Sequence, residues 1–202
     1  MHINLTNTGK RYNRDWIFRH LDYQFFPGKK YAIIGPNGSG KSTLLQVIAG
    51  ATIHSEGELS YTDDGKKIEE PYSKLSFCAP YLDLIEELTA KEFLAFHEKF
   101  KPLSENSAFI LNAVGLSNAE NKQIRYFSSG MKQRIKLAQA FFCKSQVLFL
   151  DEPTSNLDLS GVKLYQELLK NYIANKLVII SSNEKLEYEG CDEVIEISNY
   201  KV

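Results

Sequence analysis

The rhythm of apolar and polar positions changes along the chain. Met1-His2-Ile3-Asn4-Leu5-Thr6 alternates with the two-residue period of a strand that buries one face, which predicts a strand over 3–5. Further β-rich runs at 23–26, 30–34, 57–61, 75–78, 147–151, 177–181 and 193–197 are bounded in several places by glycine, proline or aspartate. Three of them hold continuous apolar stretches: Tyr31-Ala32-Ile33-Ile34, Val147-Leu148-Phe149-Leu150 and Leu177-Val178-Ile179-Ile180. A strand loses its alternation when both faces are covered, so these three predict a parallel sheet between helices. The early strands predict an antiparallel layer.

Between Leu88 and Phe142 the period becomes helical, as in Phe93, Leu94, Phe96, His97 and Phe100, and then Phe109, Ile110, Ala113, Val114 and Leu116. Thr89 and Glu92 stand where a capping box starts a helix, and Pro102 marks its end. A second helix is expected over 104–114, stopped by Gly115. The pattern predicts one α/β domain over 1–202. Its core sheet is mixed or parallel, its N-terminal β subdomain antiparallel, and its inserted α-helical lobe covers about 83–145.

At 202 residues and 43% hydrophobic content the chain can bury a core of its own. The 24 basic and 25 acidic residues leave a net charge of -1, so bulk electrostatics offers nothing to a nucleic acid and no direct nucleic-acid partner is expected. Cys78, Cys143 and Cys191 are far apart and lack metal-ligand spacing, as suits reduced thiols. No signal peptide is expected from the N-terminus, and the sequence holds no run of 18 apolar residues. Any membrane role is therefore expected to pass through a partner.

The chemistry concentrates after the apolar run 31–34, at Gly35-Pro36-Asn37-Gly38-Ser39-Gly40-Lys41-Ser42-Thr43. The Gly-x4-Gly-Lys-Ser spacing is that of a P-loop, whose glycines let the backbone curl until its amides face phosphate oxygens. Lys41 can reach the β- and γ-phosphates of a nucleoside triphosphate, and Ser42 can offer its hydroxyl to Mg²⁺. The run 44–49 reads as a helix whose N-terminus faces the anion. Far downstream, the strand 147–150 ends in Asp151-Glu152. A carboxylate at the carboxyl edge of such a sheet suits a metal, here Asp151 through a bound water, and Glu152 can orient or deprotonate an attacking water.

Between these elements lies Phe127-Ser128-Ser129-Gly130-Met131, followed by a helical run. With residues 35–43 as Walker A, 127–131 as a signature, 147–152 as Walker B and Ser155-Asn156-Leu157-Asp158 as a D-loop, the chain resembles the ATP-binding-cassette ATPases over nearly all its length. The resemblance implies ATP and Mg²⁺ as cofactors, head-to-tail pairing with a second cassette, and coupling to an integral membrane permease from the cytoplasmic face. It implies that Ser128, Ser129 and Gly130 seat the partner's ATP, and that Tyr12, or as a second candidate Trp16, stacks on adenine. The hydroxyl and amides of 128–130 at a helix start agree with an anion seat.

Three segments depart from the family pattern. Ser129 and Met131 replace glycine and glutamine in the signature, Tyr81 replaces the Q-loop glutamine, and Asn183 replaces the switch histidine. A phenol is a poorer metal ligand than an amide carbonyl, and asparagine can donate to a γ-phosphate but carries no titrating proton. With Lys41, Ser42, Asp151 and Glu152 present, slowed ATP hydrolysis is expected. The open alternatives are a regulatory cassette of a heterodimer and a non-transport cassette acting on ribosomes or DNA repair complexes. The region around 81–85, together with the helical lobe, is the expected permease contact.

Overall fold

The computed structural model describes residues 1–173 and 175–201. Strands β1 (His2–Tyr12), β2 (Asp15–Phe25), β4 (Glu56–Asp63) and β5 (Lys66–Lys67) form an antiparallel sheet in the order β2-β1-β4-β5. Strands β3 (Lys30–Ile34), β6 (Leu75–Cys78), β7 (Val147–Asp151), β8 (Leu177–Ser181) and β9 (Glu193–Glu196) form the second sheet. Its order is β6-β7-β8-β3-β9, and each neighbouring pair is parallel. The core sheet is thus parallel throughout, and the antiparallel pairing is confined to the N-terminal layer.

The continuous apolar runs have the expected cause. On β7 and β8 the even positions Leu148, Leu150, Val178 and Ile180 join one core, with helices α2 (Ala90–Glu98), α3 (Ser107–Ala113), α4 (Ser129–Phe141) and α5 (Leu159–Asn171). The odd positions Val147, Phe149, Leu177 and Ile179 join Tyr31 and Ile33 in a second core, with helix α1 (Lys41–Ile48) and the antiparallel sheet. Both faces are covered, and each such side chain contributes about 1.5–3 kcal/mol on burial.

Several boundaries differ from the pattern. β1 and β2 each run 11 residues, because His2–Tyr12 and Asp15–Phe25 zip together through bulges that reset their alternation. The Thr89–Glu92 capping box forms, but α2 ends at Glu98, and the amides of 99–101 bond back to Phe96 and His97 before Pro102. α3 begins at Ser107 rather than 104. Asn106 caps it by accepting the Phe109 amide at 2.9 Å, while the Ser104 amide donates to the Phe142 carbonyl at 2.7 Å and so is drawn away from the helix. Gly115 then turns left-handed at φ 68°, as a helix stop requires. Helices α5 and α6 (Lys185–Tyr188) have no counterpart in the pattern.

One consequence of the parallel sheet locates the chemistry. Because β3, β6, β7 and β8 run the same way, residues 35, 79–81, 151–152 and 181–183 all emerge at its carboxyl edge.

Candidate nucleotide site

The loop after β3 is shaped by glycines where geometry requires them. Gly40 has φ 99°, and a Cβ there would meet Ile17 Cγ2 at 2.2 Å; Gly35 has φ 148°, with Ile197 Cγ2 at 2.7 Å from a Cβ. The first intrahelical bond of α1 runs from the Leu44 amide to the Gly40 carbonyl at 2.8 Å. The amides of Lys41, Ser42 and Thr43 therefore have no helical carbonyl to serve, which is the arrangement that receives an anion. Helix α1 starts at Lys41, three residues before the expected 44. Lys41 is 4% exposed, and its ammonium donates to the carbonyls of Gly35 and Pro36 at 2.9 and 3.1 Å. Burial lowers its pKa, opposed by the carboxylates of Glu152 and Asp151.

Asp151 ends β7 opposite Ser181 of β8 and is 1% exposed. Burial raises its pKa, and the hydroxyls of Ser181, Ser42 and Tyr81 partly offset this, although neither carboxylate oxygen has a well-formed hydrogen bond among the described residues. A buried carboxylate with two unsatisfied oxygens, beside a serine hydroxyl and a cluster of oxygen donors, fits a hard divalent cation such as Mg²⁺. Glu152 takes φ 41° and leaves the strand direction, its amide bonded to the Ser181 carbonyl at 2.9 Å. It opens onto a cleft of about 280 Å³ that Asn37, Thr154, Ser155, Ser182 and Asn183 also line. The Asn183 amide donates to Asn37 Oδ1 of the phosphate loop. Positions 35–43, 151, 152 and 183 thus converge.

Tyr12 stands half exposed at the end of β1, with the Lys10 ammonium 4.8 Å from its ring centre. The contact of Ile17 with Gly40 brings this hairpin beside the phosphate loop. Trp16 is instead covered by the guanidinium groups of Arg11 and Arg19, at 5.4 and 4.4 Å.

The segment 128–130 belongs to a different surface. Ser128 caps α4 by accepting the Met131 amide at 3.2 Å, and Ser128 and Ser129 are exposed. They line a cleft of about 620 Å³ with Gly130, Arg134, Asn156 and Asp158 and with no residue of the loop 35–43. Within one chain the structure does not bring the two anion seats together.

Three buried or half-buried groups escaped the sequence reading. Gln133 and Lys136 of α4 hold the flanking turns, Gln133 Nε2 donating to the Pro153 carbonyl at 2.7 Å and Lys136 Nζ to the Pro80 carbonyl at 2.5 Å. Glu187, 3% exposed, accepts the Thr154 amide at 2.7 Å and the Thr154 hydroxyl on the same oxygen. The one sequence signal lay in Gln133 and Lys136, three apart on one face of a helix that starts at the signature.

A strand, a glycine-rich phosphate loop, a helix N-terminus and a buried acidic residue at one sheet edge define a P-loop nucleotide site on an α/β fold. The sequence model of the ABC transporter family matches residues 18–155, and the chain belongs to that family. It is 30% identical over 204 residues to the uncharacterized ABC transporter ATP-binding protein YybJ of Bacillus subtilis, covering 98% of this chain and 93% of that one. It is 28% identical to the lantibiotic transport ATP-binding protein SrtF of Streptococcus pyogenes, covering 91% and 80%. Among solved structures, the ATP binding subunit of an ABC transporter superposes with a TM-score of 0.83 at 21% identity, over 98% of this chain and 86% of that chain. A bacterial Atm1-family ABC exporter with ATP bound also gives 0.83, at 18% identity, over 97% and 37%.

Proposed function

We propose that this chain binds and hydrolyses ATP with Mg²⁺ as the nucleotide-binding subunit of an ABC transporter, working from the cytoplasmic face through a separate membrane permease. Asp151 carries the reading: a carboxylate with both oxygens buried and unsatisfied, beside Ser42 and Lys41 at the mouth of the phosphate loop, is built to face a cation on an anion. Mg²⁺, when bound, neutralises charge on the phosphates. The amides of 38–43 cradle the phosphates, Lys41 exchanges its loop carbonyls for β- and γ-oxygens, and Ser42 and Asp151 hold the metal side. Glu152 orients and deprotonates the attacking water, and Asn183 donates to the γ-phosphate from across the cleft. Tyr12 lies under the adenine.

The second anion seat, at Ser128, Ser129 and Gly130, is offered to the ATP of another cassette. Two chains head to tail then complete two sites. The permease contact is an apolar groove of about 300 Å³ between Ala51, Tyr72, Leu75, Phe77 and Leu82, next to Tyr81. Among the described residues no helix is long and apolar enough to cross a membrane.

Turnover of purified protein tests the chemistry. Wild type releases phosphate slowly, and Glu152→Gln loses about 10²-fold or more while still binding ATP; equal rates would remove Glu152 from the mechanism. The engagement of Asn183 with Asn37 favours a second reading, a regulatory cassette paired with a more active one. In that case the isolated chain binds ATP yet shows no turnover that Glu152→Gln can reduce.

A further inference from the structure

Glu152 holds a backbone conformation that a residue with a side chain rarely adopts. Its φ of 41° lies in the left-handed region, which persists away from glycine only where the surrounding bonds over-determine it. Such bonds surround the turn 152–155. The Glu152 amide donates to the Ser181 carbonyl at 2.9 Å, and the Ser155 amide closes the turn on the Glu152 carbonyl at 3.0 Å. From α4, Gln133 Nε2 donates to the Pro153 carbonyl at 2.7 Å. The Thr154 amide has no backbone acceptor among the described residues. It donates instead to Glu187 Oε1 at 2.7 Å, and the Thr154 hydroxyl donates to the same oxygen.

Glu187 is itself anchored. It lies in α6, is 3% exposed, and its carbonyl accepts the hydroxyl of the fully buried Tyr165 of α5 at 2.7 Å. Its amide donates to the Glu184 carbonyl at 2.9 Å, and the Glu184 amide donates to Ser182 Oγ at 2.8 Å. The short loop that carries Asn183 is thereby tied to Glu187 from its other end. One carboxyl group joins two segments that face each other across the cleft of about 280 Å³, 152–155 with Glu152 and 182–187 with Asn183. Burying a carboxyl group is unfavourable unless its bonds compensate. The bonds made here fix the turn that presents Glu152.

We propose that Glu187 is a positioning residue for hydrolysis: through Thr154 it fixes the turn that presents Glu152 and sets the placement of Glu152 relative to Asn183. Among the described residues Glu187 makes no hydrogen bond to the loop 35–43, so it acts on the side of the attacking water and not on the phosphate cradle. A misplacement of about 1 Å at a reacting group can cost about 10²-fold in rate. This inference rests on the role given to Glu152 under the proposed function.

Steady-state turnover across ATP concentrations, together with amide exchange in the nucleotide-free protein, tests it. Glu187→Ala lowers kcat about tenfold or more, leaves KM for ATP unchanged and speeds exchange of the Thr154 amide. Glu187→Gln keeps a carbonyl oxygen for both Thr154 donors and holds near-wild-type kcat and exchange. Added to Glu152→Gln, Glu187→Ala costs nothing further, because it acts through Glu152. Glu187→Asp shortens the reach by one methylene and behaves as Glu187→Ala, which keeps the test open should the alanine variant fail to fold. Wild-type kcat or Thr154 exchange in the alanine and aspartate variants, a loss that appears in KM alone, a glutamine variant as slow as alanine, or a further loss on top of Glu152→Gln would each overturn the proposal. A wild-type chain without turnover that Glu152→Gln reduces overturns the hydrolysis reading itself, and this proposal with it.

Discussion

Gly38 and Gly40 stand two residues apart in the phosphate loop, both at positive φ, yet their surroundings differ. A Cβ on Gly38 meets nothing within 4 Å, whereas on Gly40 it lands 2.2 Å from Ile17 Cγ2. Gly38→Ala is expected to cost only the left-handed backbone penalty, about 1–2 kcal/mol. Gly40→Ala adds overpacking of about 1–3 kcal/mol to the same penalty. Urea unfolding of the two variants decides it, and equal midpoints would mean that Ile17 moves aside without cost. A second residue-scale prediction concerns Glu187, whose pKa burial raises despite the bonds from Thr154. A carboxyl with a higher pKa folded than unfolded holds its proton more tightly in the native state. Its contribution is therefore most favourable below the unfolded value and is lost as pH rises through the raised folded one. Glu187→Gln keeps the oxygen that accepts both Thr154 bonds and removes the buried charge. It should be more stable than wild type near pH 7, with the difference vanishing toward pH 4, as thermal unfolding across pH would show.

At the scale of elements, the strands buried on both faces were legible because an uninterrupted apolar run has one simple home. Phe149 illustrates what that home is worth: it is fully buried and stacks on Phe77 at 5.8 Å between ring centres. Phe149→Ala is expected to cost about 3–5 kcal/mol in denaturant unfolding. Helix α3 is held by a local signal as well, and Asn106→Ala should cost about 1 kcal/mol; no change would mean that tertiary contacts alone hold its start. Helix α5 escaped notice although Asp158 caps it by accepting the Gly161 amide at 2.8 Å. Gly161 resembles a breaker, but its missing Cβ makes room for Leu157, whose own Cβ would lie 2.8 Å from it. A glycine required by packing cannot be told from a glycine required by a turn without the neighbour it admits.

For the whole molecule, the separation of the two anion seats leads to the strongest prediction. Ser129→Asp places a carboxylate at the start of α4, where the helix dipole favours it, but, in the head-to-tail pairing proposed above, opposite another chain's phosphates. The variant should fold, bind ATP as a monomer, and fail to hydrolyse it. Lys41→Ala should be equally inactive. Mixed in equal amounts, the two should recover roughly a quarter of wild-type turnover, since half the dimers are mixed and each has one intact composite site. No recovery on mixing would mean that the seats do not serve a shared nucleotide.

The phosphate loop, the acid pair after β7 and the signature could be found in the chain alone, because each depends on residues adjacent in sequence, whose geometry is set by local backbone and side-chain type. The strand order β6-β7-β8-β3-β9 depends on contacts across more than a hundred residues. The burial of Asp151, the grip of Glu187 on Thr154 33 residues away and the bond from Gln46 to Tyr81 35 residues away likewise depend on groups that are not neighbours in the chain. Local spacing names the groups that can act on a phosphate. Only long-range packing decides which of them lose water, and desolvation is what sets Asp151 apart from an ordinary aspartate at a strand end.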